Sequence, residues 1–385
     1  MVEVFLTKCD EYSKNEIKEK IIKGLSDIGF DINGVKNLKV AVKPNMLLPS
    51  SPEKAIVTHP IFFQAVCEII KEHGGHIILT ESPAIHSLEK TIEKLGYSKI
   101  IDDLGIEVAD VKQTKVLMYE KGKIFKRFEI SKAFFDADLI FNLPKFKTHG
   151  FAYITGALKN FFGSIPGLNK SKMHMKLPSK EEFSEFLLDL YGAFIEGFEP
   201  QKKIIHIMDA ILAMEGEGPG PSGTPKKMGC ILIGSDAVAV DFIAAKIAGL
   251  DYEQAYTITY GFKRQFCISS PSEIKLLGDK IEEIGIKNFK PSKNSLLSNV
   301  VRWPFTSRTF KNLFVERPYP LEDKCILCYN CKSICPGKAI SKAEGKSKVP
   351  KFDYNKCIRC LCCMEVCPEA AIITKKGKLQ WILQR

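Results

Sequence analysis

One cysteine pattern occurs twice near the carboxyl end of the chain, and it constrains the fold more than any other feature. Nine of the 13 cysteines lie between Cys325 and Cys367, and the other four are scattered singly. The spacing Cys-x-x-Cys-x-x-Cys-x-x-x-Cys-Pro begins at Cys325 and begins again 32 residues later, at Cys357. The amino terminus shows no signal-peptide pattern, and in such a chain clustered cysteines are typical of metal ligands rather than disulfides.

Eight of these cysteines predict two [4Fe–4S] clusters. Three closely spaced thiolates bind three irons of one cubane, and the fourth cysteine, before proline, ligates the other cluster. The predicted ligands are Cys325, Cys328, Cys331 and Cys367 for cluster I, and Cys357, Cys360, Cys363 and Cys335 for cluster II. Cys362 is left as a non-ligand beside Cys363. A pair of zinc knuckles is the alternative, but zinc sites usually take their ligands as two spaced pairs.

The segment 320–385 resembles bacterial-type ferredoxins that hold two clusters. A unit of this size cannot be stable on an apolar core alone, so we expect the clusters to serve as its core. Loss of iron should then unfold it. The chain is therefore predicted to transfer electrons.

The preceding 290 residues alternate between short apolar runs and helical patterns. Several runs are apolar throughout, which is typical of strands covered on both faces. The predicted fold class is α/β, a largely parallel sheet with helices on both faces, followed by a small α+β ferredoxin-like two-cluster domain. The predicted strands are Val2–Leu6, Leu38–Val42, His76–Thr80, Val116–Tyr119, Leu139–Asn142, Ile204–Met208 and Cys230–Gly234. The predicted helices are Asn15–Ile28, Pro60–Lys71, Ser87–Leu95, Tyr153–Phe162, Lys180–Phe194 and Ala237–Ala248.

We predict three regions along the chain. The α/β domain takes residues 1–285, a basic and aromatic linker takes 286–320, and the two-cluster domain takes 321–385. The linker is interpreted as a strap against the main domain, or as a docking surface for an acidic electron donor or a membrane. The loop 214–223, rich in Gly and Pro, is either a lid over the crevice at the strand ends or a flexible connection.

Polar residues follow four of the predicted strands. Lys43 and Asn45 follow the second strand, Glu81 the third and Asn142 the fifth, and Asp209 follows the sixth. Ligands of open α/β sheets bind in the crevice outside the carboxyl ends of the strands. Turn residues also follow strands, but four strands together, with Lys and Asn among the residues, favour a binding site.

The segment from Asn142 to His174 is the densest in such residues. Lysine supplies a compact charge for an anion, and histidine can donate a proton near neutral pH. Thr155 and Lys159, four residues apart, are predicted to share one helix face. The predicted catalytic residues are His149, His174 and Lys145. The predicted substrate-binding residues are Lys43, Asn45, Glu81, Asn142, Lys147, Thr148, Thr155, Lys159, Asn160 and Lys172. A solvated basic surface is the alternative interpretation.

Four motifs in this order resemble the DUF362 family: Lys43-Pro44-Asn45, the run from Asn142 to His149, Thr155 to Asn160, and Asp236 to Asp241. The resemblance covers residues 36–250. Members of the family often end in a two-cluster ferredoxin domain. The resemblance implies an iron–sulfur redox context and does not imply a particular reaction.

These observations favour a ferredoxin-coupled reductase, an iron–sulfur oxidoreductase that passes electrons to an anionic small molecule. The alternatives are an electron-transfer module for a partner protein and an oxygen-sensing cluster protein. The expected partner is a redox protein such as ferredoxin, consistent with a formal charge of +11. No nucleic-acid module or nucleotide-binding glycine motif is visible. The lack of a signal-peptide pattern and of a transmembrane segment predicts a cytoplasmic protein, and the family resemblance implies anaerobic metabolism.

Overall fold

The computed structural model describes residues 1–167, 169–177, 179–266, 268–293 and 316–375. The strands are β1 (Val2–Lys8), β2 (Lys39–Pro44), β3 (His76–Leu79), β4 (Glu107–Val108), β5 (Thr114–Met118), β6 (Arg127–Ser131), β7 (Leu139–Leu143), β8 (Lys145–His149), β9 (Tyr153–Thr155), β10 (Lys203–Gly216), β11 (Gly223–Gly234), β12 (Ile274–Gly278), β13 (Arg317–Pro320), β14 (Ile340–Ser341), β15 (Lys351–Phe352) and β16 (Ile372–Lys375). The helices are α1 (Lys14–Asp27), α2 (Pro60–Glu72), α3 (Leu88–Leu95), α4 (Ser98–Leu104), α5 (Ala133–Asp136), α6 (Ala157–Asn160), α7 (Asn169–Lys176), α8 (Lys180–Glu196), α9 (Ala237–Ala248), α10 (Tyr256–Arg264), α11 (Ile281–Ile284), α12 (Asn330–Ile334) and α13 (Cys362–Glu365).

The central sheet has the order β12-β1-β11-β10-β7-β2-β3-β4. Strands β10, β7, β2, β3 and β4 are parallel to one another, and β11 is antiparallel to both β10 and β1. Strand β8 continues beside β10, and β9 pairs with β8. The prediction of a largely parallel sheet is confirmed.

Alternate residues of the central strands enter two separate apolar cores. Val42 and Phe141 pack with α1 and α2, whereas Ala41 and Ile140 pack with α8 and α9. Because side chains of a strand alternate between faces, the two cores lie on opposite sides of the sheet. The sheet is therefore covered on both faces, which explains why its strands are apolar throughout.

Helix α9 has the bounds that the sequence predicts. The Asp236 carboxylate accepts a hydrogen bond from Ala239 N at 2.7 Å and caps the first turn. Gly249 ends the helix in the left-handed region, with φ of 70°. A cap at each end explains why these bounds can be predicted from sequence.

The predicted helix Tyr153–Phe162 is wrong in its first half. Tyr153–Thr155 forms β9, because its residues pair with β8 at Lys147, Thr148 and His149. The Asp241 carboxylate accepts hydrogen bonds from Ala157 N at 2.6 Å and Leu158 N at 3.1 Å. Helix α6 therefore starts only at Ala157, and Thr155 does not share a helix face with Lys159.

The small C-terminal unit consists of two short antiparallel pairs, β13 with β16 and β14 with β15, together with α12 and α13. Its backbone repeats with the period of the cysteine motif. Residues in the left-handed region recur 32 positions apart, as Leu327 and Arg359, Tyr329 and Leu361, and Lys338 and Ala370. The sequence repeat is thus a repeat of two loops with the same backbone course.

One end of the predicted linker is held by backbone hydrogen bonds to the α/β domain, and the other end is a strand of the small unit. Phe289 N donates to Ala248 O at 2.7 Å, and Lys290 O accepts from Gly216 N at 2.8 Å. At the other end, Arg317–Pro320 is β13 of the small unit. Residues 294–315 lie outside the described residues, and the three region boundaries stay a prediction.

The loop after β10 is held by contacts with both units. A Cβ on Gly218 would lie 2.4 Å from Thr148 O, and one on Gly220 would lie 2.2 Å from Glu365 O. The close approach of backbone to backbone requires glycine at these two positions. Within the described residues, no helix is long and apolar enough to cross a bilayer.

Candidate functional site

The cysteines of the small unit line two cavities. The first cavity is lined by Cys325, Cys328, Cys331 and Cys367. The second is lined by Cys335, Cys357, Cys360 and Cys363. Each cavity thus takes three cysteines from one motif and the Cys-Pro cysteine of the other, the crossed arrangement that a two-cluster protein needs.

Both cavities fit a cubane cluster chemically. Ala339 N donates to Cys335 Sγ at 3.3 Å, and Ala371 N donates to Cys367 Sγ at 3.2 Å. Burial and the neighbouring sulfurs raise the pKa of Cys331 to about 12, because deprotonated thiols cannot crowd together without a cation. Iron bound by these cysteines would supply that positive charge, and the donated amide hydrogens would stabilise the sulfurs.

Cys362 separates the second cysteine cavity from another cavity. Its side chain is buried and lines both. It packs with Ile334 and Val366 of the small unit, against Ala84 and Ile85 of the α/β domain. Helix α13, which Cys362 begins, is therefore part of the contact between the two units.

The other cavity lies at the carboxyl ends of the parallel strands, where the small unit covers them. Its volume is about 90 Å³, several times what one water molecule needs. It is lined by Asn45, Leu47, Glu81, Ser82, Ala84, Thr155, Lys159, Asn160, Phe162, Gly163, Lys170, Ile334, Cys362, Glu365 and Val366. We call it the junction cavity.

Two ammonium groups face the junction cavity. Lys159 makes no hydrogen bond or ion pair within the part of the chain that the structure describes, and burial lowers its pKa. Lys170 Nζ donates to the carbonyls of Ser82 and Pro83, and burial lowers its pKa to about 8. Lys159 is half-buried, and the Glu365 carboxylate opposes the lowering of its pKa, but no ion pair neutralises it within the described chain, so an anionic ligand would stabilise it.

A buried ion pair forms the floor beside them. Lys43 Nζ donates to Glu81 Oε2, and both side chains are almost inaccessible to solvent. Burial lowers the pKa of Lys43, while the Glu81 carboxylate opposes that shift. Since Lys43 neutralises Glu81, the net charge that a ligand meets comes mainly from Lys159, Lys170 and Glu365.

A chain of amides connects the strand ends. Lys147 Nζ donates to Asn45 Oδ1 at 2.9 Å, and Asn45 Nδ2 donates to Asn160 Oδ1 at 3.0 Å. Asn160 Nδ2 donates in turn to Asn142 Oδ1 at 2.7 Å, and Asn142 Nδ2 lies 3.0 Å from His206 Nδ1. This network fixes the orientation of Asn45 and Asn160, which line the junction cavity.

Two further predicted residues, Lys145 and Thr148, lie outside the lining. Lys145 Nζ donates to Asp209 Oδ2 at 2.8 Å and to the Tyr12 hydroxyl at 2.7 Å, and Lys145 and Asp209 are fully buried. The Thr148 hydroxyl donates to Gly216 O at 2.9 Å. These contacts stabilise the sheet and its hairpin without facing the cavity.

His149 lies between the two units. Its Nδ1 accepts hydrogen bonds from Phe151 N at 2.9 Å and Ala152 N at 3.2 Å. The ring proton is therefore on Nε2, which lies 3.5 Å from Glu365 Oε1. The imidazole thus orients Glu365, whose side chain lines the junction cavity.

The structure brings together Asn45, Glu81, Thr155, Lys159 and Asn160 of the predicted binding residues, and places Lys43, Lys147 and Asn142 directly behind them. The side chains of Lys172 and His174 lie outside the described residues. The sequence analysis missed three lining residues, Lys170, Cys362 and Glu365. Lys170 lies in the segment that the analysis singled out, whereas no local pattern connects α13 with the strand ends.

The fold and the site define an iron–sulfur protein whose cysteine-rich unit covers a polar cavity on an α/β domain. A family model described as "Domain of unknown function (DUF362)" matches residues 40–246. One described as "4Fe-4S dicluster domain" matches residues 324–371. The chain belongs to the DUF362 family, and its C-terminal unit is an iron–sulfur electron-transfer domain.

Two comparisons with individual proteins each cover about two thirds of this chain. "Thylakoid-associated protein sll1697" from Synechocystis sp. is 30% identical over 250 residues, which are 64% of this chain and 75% of the relative. The solved lactate racemase apoprotein from Thermoanaerobacterium thermosaccharolyticum matches with 13% identity and a TM-score of 0.38. That match covers 65% of this chain and 57% of the racemase, so this chain spans little more than half of the racemase's length.

Proposed function

We propose that the protein is a ferredoxin-coupled reductase that delivers electrons from two [4Fe–4S] clusters to a small anionic molecule in the junction cavity. One observation carries the proposal: Cys362 lines both the second cysteine cavity and the junction cavity. A ligand beside Lys159 would thus be separated from the sulfurs of cluster II by one side chain. Short separation is what rapid electron transfer requires.

The clusters, held by the eight cysteines named above, would supply electrons one at a time at low potential. The chain's own residues bind and orient the ligand. Lys159 and Lys170 attract its anionic group, while Asn45 and Thr155 offer hydrogen bonds that fix its orientation. Leu47, Phe162 and Val366 form an apolar wall that suits a short hydrocarbon part of the ligand and excludes water.

Reduction of a carbon–carbon double bond also consumes protons. The Lys159 and Lys170 ammonium groups line the cavity, and a pKa of about 8 suits Lys170 for transfer near neutral pH. Glu365 lines it too, and burial raises the pKa of its carboxyl, so it is a further acid at this site. His149 is less suited, because its Nδ1 is occupied by two amide donors and its Nε2 proton is directed at Glu365. We assign it the role of holding Glu365 in place.

The test uses the full chain with reconstituted clusters under anaerobic conditions. Dithionite supplies the electrons, and crotonate and other short enoates are the candidate substrates, with product measured by chromatography. We expect Lys159→Met to reduce turnover at least tenfold, whereas Lys99→Met, an exposed lysine on α4, leaves it unchanged. Turnover of no enoate by wild type, together with unchanged crotonate binding in Lys159→Met, would exclude the proposal.

The ligand assignment has its own test. Wild type should contain about eight irons and eight labile sulfides per chain, the content of two cubanes. Cys360→Ser should lose much of the iron and sulfide of one cluster, whereas Cys362→Ser should keep the full content. Zinc in place of iron in oxygen-free material would contradict the assignment.

We further propose a cytoplasmic setting in anaerobic metabolism, with reduced ferredoxin as the physiological donor. Reduced low-potential clusters react with oxygen, which supports the anaerobic part. The Synechocystis relative carries the name of a thylakoid-associated protein, so fractionation of the native host is the appropriate check. Recovery of this chain with membranes would overturn the cytoplasmic location and leave the redox chemistry intact.

A further inference from the structure

The two cluster loops repeat the same backbone course, but their surroundings differ. Cys328 in the first loop is exposed, whereas its counterpart Cys360 in the second loop is half-buried. The neighbouring apolar residues differ in the same sense, since Ile326 is 62% exposed and Ile358 is 41% exposed. The asymmetry comes from docking, because Cys360 packs in the contact with Ala84 and Ile85 of the α/β domain.

Of the eight ligand cysteines, all of which the structure describes, Cys328 is the one that is exposed. A groove runs from it along the junction of the two units. The groove is lined by Leu48, Pro49, Ile85, His86, Lys94, Cys328, Asn330, Val366 and Pro368. Its lining thus combines apolar contact area with a lysine and a histidine, and it contains no carboxylate.

Charges of both signs lie near this groove. Lys90 lies close enough to lower the pKa of His86 together with Lys94, after the larger effect of burial. Along the chain, the exposed Lys324 and Lys332 stand next to cysteines of cluster I, and so do the exposed carboxylates of Glu322, Asp323 and Glu369. The basic face is therefore the groove lining itself, with Lys94 and His86, rather than the whole rim.

We propose that this groove is the docking site for an acidic one-electron carrier protein, and that electrons enter the chain at cluster I and leave it at cluster II. This inference rests on the proposed electron transfer but not on the identity of the ligand. Each docking event moves one electron: the carrier is oxidised by one electron and cluster I is reduced by one. No bond forms or breaks and no proton is needed.

The basic groove lining and the exposure of Cys328 together favour an acidic electron carrier as the molecule that docks here. Electron transfer to an exposed cluster edge requires only that a redox group comes close to it. Positive charge beside an apolar groove attracts an acidic protein surface over a distance. The formal charge of +11 on the whole chain acts in the same direction. The other end of the path leads to a ligand, because cluster II faces the junction cavity through Cys362.

The experiment measures how fast a reduced acidic flavodoxin bleaches the cluster absorbance of the full chain in an anaerobic stopped-flow instrument. The groove variant is Lys94→Glu with Lys324→Glu. The matched variant is Lys338→Glu with Lys356→Glu, two exposed lysines beside the cysteines of cluster II. Reduction by dithionite, which needs no protein docking, checks that both variants hold their clusters.

At low ionic strength the groove variant should react about tenfold more slowly than wild type, since a charged rim governs the association rate. The matched variant should react within about twofold, and added salt should remove the difference between the proteins. If charge reversal disturbs cluster loading, Lys94→Gln with Lys324→Gln should show a smaller slowing with full iron content.

Two outcomes overturn the inference. Greater slowing in the matched variant would place the entry at cluster II, and equal rates in all variants would remove the basic docking face. Either result is compatible with dithionite-driven turnover in the junction cavity. Failure of the docking site is therefore distinguishable from failure of the proposed reductase.

Discussion

Buried lysines at this site differ in what neutralises them. Lys145 and Asp209 form an ion pair of 2.8 Å in which both side chains are fully buried. Lys159 has no such partner within the described chain, and it faces the junction cavity. Asp209 neutralises the charge of Lys145, whereas the charge of Lys159 would be neutralised by an anionic ligand. Two lysines from one sequence segment therefore have different effects on stability.

Replacing each lysine by methionine separates these roles. Lys145→Met leaves the Asp209 carboxylate buried without its cation, and we expect the free energy of unfolding to fall by about 3–5 kcal/mol. Lys159→Met removes a half-buried charge that makes no ion pair and only an electrostatic interaction with Glu365, so the loss should be much smaller. Urea denaturation followed by far-ultraviolet circular dichroism measures both. An equal loss in the two variants would contradict the distinction, and Lys145→Met with Asp209→Leu should recover part of the loss.

Lys170 makes ligand binding depend on pH. Burial lowers its pKa to about 8, from an ordinary value of 10.5, with Lys43 and Lys159 acting in the same direction and Glu81 against it. The folded protein therefore loses this charge as the pH rises through about 8, and the penalty of burying it, fully present below that pH, is lost progressively as the pH rises towards the ordinary value of 10.5. Crotonate binding, measured by calorimetry, should weaken between about pH 7 and about pH 9.

The Lys170→Gln variant tests the origin of that dependence. Its binding should be weak at both pH values and nearly flat between them, because the titrating group is gone. Lys170→Arg should restore the charge and keep it at the higher pH. A wild-type pH profile that survives in Lys170→Gln would assign the titration to another group.

At the scale of elements, the sequence predicts well wherever local signals agree. Capping by Asp236 and Gly249 defines α9, and apolar runs define the central strands. The helix predicted over Tyr153–Phe162 is wrong because pairing with β8 extends Tyr153–Thr155, and no local propensity contains that contact. The prediction that Asn45 and Glu81 lie at one cavity rests on topology, because the carboxyl ends of parallel strands meet at one edge of the sheet.

The missing part of the cavity has a similar explanation. Glu365 and Cys362 come from another unit, more than two hundred residues after the strand ends in sequence. Their position depends on how the two units dock, and neither periodicity nor motif spacing encodes that docking. Lys170 is held at the cavity by hydrogen bonds to the backbone carbonyls of Ser82 and Pro83. Sequence patterns do not identify such contacts either.

The turn after α6 gives a prediction at this scale. A Cβ on Gly163 would lie 2.2 Å from Glu81 Oε1, and Glu81 is held by Lys43. Gly163→Ala should therefore cost about 1–3 kcal/mol of stability through overpacking and should displace the carboxylate from the cavity floor. Gly34→Ala is the matched control, since no atom lies within 4 Å of its added Cβ. The melting temperatures of both variants are measured by thermal unfolding, and equal values would contradict the expected clash.

At the scale of the whole molecule, the two units differ in what holds them together. The α/β domain has two large apolar cores, one on each side of its sheet. The small unit has a core made largely of the cysteines themselves, with Ile340, Met364 and Ile372 among them. Stability of the small unit should therefore depend on iron, and that of the α/β domain should not.

Removal of iron tests this difference in one experiment. Ferricyanide with a chelator should unfold residues 316–375, because eight thiols without a cation cannot form a core. The α/β domain should keep its structure, so hydrogen exchange should become fast in the small unit and stay slow in β2, β7 and β10. Since Glu365 and Cys362 complete the junction cavity, the peptide that carries Lys159 should also exchange faster. Full protection of the small unit without iron would show that its apolar residues suffice, and loss of protection throughout the chain would show that the α/β domain depends on the clusters as well.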